Sequence, residues 1–311
     1  MAKKVQKKLD EYIEPLNMNG LRGRVLNAPA KRKKSNKQIL LIYGHHASIE
    51  RMLGFAEELN KYGAVTLPDL PGFGGMQSIF RLGERPSVDT LADYLAAFVK
   101  MRYKNRRFTI VSMSFGFVIV TRMLQKYPEL SEKVDDLVSI AGFVHYEDFR
   151  LKRRTKVLLK AGGAINSFRL PAALTRYTLL TRPVIYLGYL LLGDNNVKMK
   201  EANFSERAKR IRFEVELWQS NDVRTYAYTG REMLRVNLCT FTKQINKKVT
   251  HIKVQEDRYF DNSIVEQHLN VVYREVEVVE TKLHGHAPTV ISSAKEAAPY
   301  IPRKIRSLLR A

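Results

Sequence analysis

A chain of 311 residues, 45% apolar and 27% charged, can bury a substantial core and suits one large domain with an insertion, or two modest ones. The single cysteine, Cys239, excludes an internal disulfide framework and fits a reducing compartment. The formal net charge of +22 is the outlying quantity, and it directs attention to phosphate-bearing partners.

In chain order, the first fifteen residues are basic with no apolar segment behind them, unlike a secretory signal. Residues 11–15 and 21–26, joined by Asn19-Gly20, predict an opening hairpin. Gln38–Tyr43 is a near-continuous apolar run, as found in strands buried inside a parallel sheet. A helix follows from Ser48 to Asn60, then a strand over Ala64–Leu67 and the turn-rich Asp69-Leu70-Pro71-Gly72-Phe73-Gly74. Ser87 opens another helix, with Leu91, Tyr94, Leu95 and Phe98 on one face.

The chain then reaches its most informative stretch. Phe108–Val111 reads as a buried strand, and Val118, Ile119, Met123, Leu124 and Tyr127 recur at helical spacing. Between them lies Ser112-Met113-Ser114-Phe115-Gly116. Small residues two before and two after Ser114 permit a sharp strand-to-helix turn with the serine hydroxyl at its tip. Asp136–Ala141 is a further strand. The alternation of strand and helix predicts a mostly parallel sheet with helices on both faces.

From 150 to 245 the alternation stops and helical stretches dominate, with Ser205 expected to cap a helix through Trp218. Residues 150–215 hold fifteen Lys/Arg against four Asp/Glu. Anionic lipid or nucleic acid would be drawn to such a surface; solubility is the simpler account, and no recognised nucleic-acid module accompanies it. Pro183–Gly193, the longest uncharged apolar run, is too short to cross a bilayer, so a cytoplasmic protein is expected. Alternation resumes with a strand over Val249–Val254, a helix over Asn262–Tyr273, a strand over Glu275–Val279 and a final helical segment over Ser292–Ala311.

The serine turn resembles the G-x-S-x-G nucleophile elbow of the α/β-hydrolase family, with Ser112 in place of the first glycine. Ile42-Tyr43-Gly44-His45-His46 is similar to that family's His-Gly loop, with Tyr43 where histidine is usual, and Asp69–Gly74 matches its D-x-P-G-x-G turn. The resemblance implies an α/β-hydrolase core over residues 1–149 and 246–311, with an inserted, mainly helical cap over 150–245. It also implies a catalytic triad in the order Ser, acid, His. Ser114 would be the nucleophile and Asp257 the acid, with Glu256 and Asp261 as alternatives. His286, in Leu283-His284-Gly285-His286, would be the base in preference to His284. The backbone N–H groups of His45 and Phe115 would form the oxyanion hole, and the side chains of His45 and His46 are expected to pack or touch substrate. No metal or organic cofactor is implied.

The expected activity is hydrolysis of an ester or related acyl bond of a small, apolar substrate. Serine rather than aspartate at the elbow argues against the family's epoxide hydrolases and dehalogenases. Thioesterase, peptidase, carbon–carbon hydrolase and acyltransferase chemistry share the same triad. The competing expectation is a non-catalytic protein of the same fold that binds an anionic membrane or nucleic acid through its basic cap. Expected partners are accordingly an acyl substrate and, weakly, an anionic membrane surface.

Overall fold

The computed structural model describes residues 8–31, 35–192, 204–241, 243–255, 257–281 and 293–310. Eight strands form one sheet: β1 (Ile13–Met18), β2 (Leu21–Ala28), β3 (Gln38–Ile42), β4 (Ala64–Pro68), β5 (Phe108–Met113), β6 (Val134–Ile140), β7 (Ile245–Val254) and β8 (Tyr273–Thr281). Their spatial order is β1-β2-β4-β3-β5-β6-β7-β8. β1, β2 and β4 pair antiparallel, and all other neighbours are parallel. The expected hairpin is present, with Asn19 at φ 50° and Gly20 at φ 78°. Positive φ at both central positions suits the twist of the flanking strands.

Twelve α-helices accompany the sheet among the described residues: α1 (Ile49–Leu59), α2 (Val88–Tyr103), α3 (Phe115–Lys126), α4 (Pro128–Lys133), α5 (Arg153–Asn166), α6 (Arg169–Thr178), α7 (Arg182–Leu192), α8 (Phe204–Ser220), α9 (Val223–Met233), α10 (Asn262–Val272), α11 (Ala294–Ala297) and α12 (Arg303–Leu308). α1 packs with α11, and α2 with α3. Every residue of β5 is buried, so the sheet is covered on both faces at its centre, as its apolar run requires. The chain goes from β3 outward to β4 and then returns to place β5 on β3's other side. A crevice opens outside the strand ends at such a reversal, and it is where open α/β sheets bind ligands.

Between β6 and β7 the described chain is helical, α5 to α9. The helix expected to be capped by Ser205 runs over Phe204–Ser220 among the described residues, with Ser205 inside it. The single helical segment expected at the end is broken into α11, a short 3-10 turn and α12. Pro299 and Pro302 lack the N–H that a continuous helix would need there. Among the described residues no helix is long and apolar enough to cross a membrane.

Candidate active site

β5 ends at Met113 and α3 begins at Phe115, so Ser114 alone makes the turn, at φ 49° and ψ −123°. A non-glycine residue in this region carries about 1–3 kcal/mol of strain and persists only where its surroundings hold it. They do. Its N–H donates to Ile140 O at 3.1 Å, and its carbonyl accepts from Phe117 N at 3.0 Å. From Phe108 to Thr121 every residue is buried except Ser114, which is partly exposed.

The small flanking residues are explained by contact. A Cβ on Gly116 would lie 2.3 Å from Tyr43 O, so only glycine fits where α3 passes the end of β3. Ser112 is fully buried, and its hydroxyl donates to Val138 O on the next strand at 3.4 Å. Serine is small enough for the place, and the hydrogen bond satisfies its polar group.

β3 is the strand beside β5, with Ile42 opposite Ser112, so the loop after β3 runs alongside the serine turn. Gly44 touches it: a Cβ there would lie 2.9 Å from Ser114 Cβ. The His45 ring is 5.9 Å from the Phe115 ring, edge-on. Phe115 is the first residue of α3, so its N–H has no partner within the helix and lies at the positive end of the helix dipole. His45 Nε2 sits 3.1 Å from Tyr226 O and 3.0 Å from Thr229 Oγ1, both on α9. Burial, helped by His46 alongside, lowers its pKa to about 3. The neutral ring therefore donates from Nε2 to the Tyr226 carbonyl and locks the loop to α9.

Behind the loop is a polar cradle that sequence reasoning missed. Asp69 is fully buried. Its Oδ1 accepts from Tyr43 OH and Ile49 N, both at 3.0 Å, and its Oδ2 from Arg24 Nε at 3.0 Å and Nη2 at 2.8 Å. Burial pushes this carboxyl up to about 7, against the opposing pull of Arg24. Tyr43 OH also accepts from Leu70 N at 2.6 Å. One aspartate thus ties β2, the β3 loop, the start of α1 and the turn after β4 together. Ser48 holds the N-cap position of α1 without a side-chain capping bond; Asp69, just after the neighbouring strand β4, accepts from the first helical N–H instead. Gly74 must be glycine because a Cβ would lie 2.1 Å from Asp69 Oδ1. Tyr43 replaces the usual histidine with a hydroxyl that reaches this carboxylate, and no local spacing pointed to Arg24.

Asp257 follows β7 and is 3% exposed. Its Oδ1 accepts from Tyr259 N at 2.8 Å and Phe260 N at 3.1 Å, which fixes the carboxylate on its loop. β7 is two strands from β5, and the ends are level: Met113 pairs with Ile140, and Ile140 with Ile252. The alternative acid Asp261 is engaged otherwise. It caps α10, accepting from Ser263 N and Ile264 N, and lies 3.7 Å from Arg150. Glu256, His284 and His286 lie outside the described residues.

No protein-family model matches the chain, nor does any curated protein sequence. Solved structures do match. The enol-lactonase from Burkholderia xenovorans LB400 superposes with a TM-score of 0.67 at 10% identity, over 96% of this chain and 100% of that one. A membrane phospholipase A described as a bacterial virulence factor gives 0.67 at 19% identity, over 96% and 86%. A thermophilic esterase from Thermogutta terrifontis gives 0.61 at 14%, over 96% and 98%. This chain has the α/β-hydrolase fold.

Within that α/β-hydrolase fold, a second histidine cluster stands outside the serine turn. His145, Glu147 and His268 offer ligand atoms within 4.8 Å of one another. Their Nδ1 atoms are occupied: His268 by the buried Asp148 at 2.5 Å, and His145 by the Glu147 N–H at 3.2 Å. Asp148 also accepts from Val144 N and His145 N. The cluster thereby pins the segment after β6 to α10.

Proposed function

We propose that the protein is a serine hydrolase cleaving an ester or related acyl bond. The observation that carries this reading is Ser114, held in a strained left-handed conformation at the sheet's reversal point and partly exposed within a buried run. Strain of this kind is retained where it aims a functional group. The structural neighbours, an esterase, an enol-lactonase and a phospholipase among them, support hydrolysis as the reaction class.

In the proposed mechanism Ser114 Oγ attacks the acyl carbon while His286 takes its proton. A serine hydroxyl is a poor nucleophile without such a base. The oxyanion that forms is met by the N–H groups of His45 and Phe115, an arrangement worth most where the donors are fixed in advance. His286 then returns the proton to the leaving group, and water repeats the cycle to release the acid. Asp257 orients His286 and stabilises its charged form. The helical stretch 150–245 would act as a cap, with α9 against the His45 loop as its inner wall.

Labelling with a fluorophosphonate probe tests the reading. The native protein should label at Ser114, and Ser114→Ala should not. Unlabelled native protein of intact fold, or undiminished labelling of Ser114→Ala, would overturn it.

A further inference from the structure

Helices α5, α6 and α7 present an unusual surface. Residues 150–192 contain nine Lys/Arg and no Asp or Glu. The same residues supply fourteen of the twenty large hydrophobic side chains that are exposed among the described residues. Several are almost wholly in solvent: Leu170 is 82% exposed, Tyr177 80% and Leu191 76%. A folded protein seldom leaves so many large apolar side chains open in one segment unless something binds there.

The exposed side chains fall in stripes. Leu170, Leu174 and Tyr177 lie on one face of α6, at spacings of four and three. Val184, Leu187 and Leu191 do the same on α7. On α5, Leu158 and Ile165 continue a stripe that begins at Arg154. Lys152, Arg153 and Arg154 are exposed at the start of that helix. The opposite side of this layer is covered: α5 and α6 pack on α9, and a Cβ on Gly163 would lie 2.9 Å from Ala227 O. α7 packs on α8, burying Ile185 against Ile211 and Val215.

We propose that the outer face of α5–α7 docks onto the surface of an anionic lipid bilayer. Leucines and tyrosines would enter the boundary between headgroups and acyl chains, while the arginines and lysines meet lipid phosphates. The uncharged apolar run Pro183–Gly193 lies between Arg182 and Asp194; as a helix it would cover roughly 16 Å, far short of the ~30 Å hydrocarbon core, so the face lies on the membrane and does not span it. A second copy of the chain fits this face poorly. A two-fold dimer sets the same patch against itself, which here brings positive charge against positive charge. Nucleic acid would satisfy the charge but leave the apolar stripes in water. The docked face would stand one helix layer above the Ser114 turn, since α9 lies between α5 and the His45 loop. This inference goes beyond the hydrolase reading and does not depend on it, because its readout is binding.

Flotation with vesicles of phosphatidylcholine and phosphatidylglycerol in equal parts, and with pure phosphatidylcholine vesicles, tests it across a salt series. The protein should float with the anionic vesicles at low salt, much less with the neutral ones, and should partly release as salt rises. Each basic residue near an anionic surface strengthens binding about fivefold. Lys152→Gln/Arg153→Gln/Arg154→Gln should therefore weaken it about a hundredfold. Leu158→Ser/Leu170→Ser/Leu174→Ser should lower binding at every salt concentration, with an unchanged circular dichroism melt since all three are exposed. Absence of binding to anionic vesicles at low salt would overturn the proposal. So would full binding by the leucine variant, which would leave charge alone at work. A native dimer in light scattering that the leucine variant converts to monomer would also overturn it, in favour of a second copy.

Discussion

Gly44 and Ser114 are in direct contact: a methyl group at Gly44 would sit 2.9 Å from Ser114 Cβ and 3.3 Å from Met113 O. The loop after β3 and the serine turn are therefore one packed unit. If His45 N–H and Ser114 Oγ act on the same acyl group, their separation is set by this contact. Gly44→Ala should push the two apart by a few tenths of an ångström or more. Misplacing reacting groups by about 1 Å costs on the order of 10²-fold in rate, so turnover on a small p-nitrophenyl ester should fall by about ten- to a hundredfold. Fluorophosphonate labelling should slow in parallel. Unchanged turnover in a folded variant would show that the two elements do not share a substrate.

Asp257→Asn should leave the fold intact, because asparagine keeps an Oδ1 that can accept from Tyr259 N and Phe260 N. Activity should nevertheless fall steeply, by up to ~10⁴-fold as in the serine-protease case. In the proposed mechanism the amide would no longer stabilise the imidazolium that forms during attack. Asp261→Asn should cost little turnover, since that side chain caps α10. If Asp261→Asn proved the more severe in esterase assays, the acid would have been assigned to the wrong carboxylate.

How much of this was legible in the sequence varies with the range of the interaction. The serine turn was readable because its signals are local: an apolar β-branched strand, small residues at fixed offsets, and a change to helical spacing. Glycines 44, 74 and 116 were readable for the same reason, although the contacts that demand them come from Ser114, Asp69 and Tyr43 in other segments. The Arg24–Asp69–Tyr43 cradle was not readable. It joins residues 26 to 45 positions apart, and an arginine in a strand normally reads as a solvated face. The break between α11 and α12 departs from the single helical segment expected there, since Pro299 and Pro302 each remove an N–H that a continuous helix needs.

His251 carries a pH prediction. It is 1% exposed within β7, with Nδ1 3.1 Å from Ser139 Oγ. Burial, with Lys253 nearby, lowers its pKa to about 4, against the opposing effect of Asp257. A histidine that stays neutral when folded stabilises the protein above its ordinary pKa near 6.5, and that stability is lost as pH falls towards 4. At pH 5 the loss should be about 2 kcal/mol. His251→Asn keeps a hydrogen-bonding group near Ser139 and removes the titration. Urea unfolding from pH 7 to 4.5 should therefore show a steeper acid decline in the native protein than in the variant. Parallel declines would mean that His251 is protonated in the folded state.

The last prediction concerns the bond between the core and the helices that follow β6. Arg51 on α1 and Glu214 on α8 form a buried ion pair, and Glu214 is fully inaccessible. Glu214 Oε2 also accepts from Tyr189 OH at 3.1 Å. Arg51 Nη1 donates to His46 O at 2.8 Å, which carries the pair into the loop beside Ser114. His46 in turn packs against Trp218 of α8, the two rings tilted at 45°, and meets Asn221 Nδ2 through its Nδ1 at 3.0 Å. Removing one partner of a buried pair strands the other charge, at about 3–5 kcal/mol. Glu214→Ala should therefore lower unfolding stability by that amount, as read from urea midpoints. Replacing both partners with apolar residues of similar size is often neutral, so Arg51→Met/Glu214→Leu should recover most of the stability. The double variant should still lose activity, because the His46 carbonyl has lost its donor and the loop its anchor. A Glu214→Ala variant within about 1 kcal/mol of the native protein would mean that water reaches Arg51 and that α8 is not clamped to the core by charge.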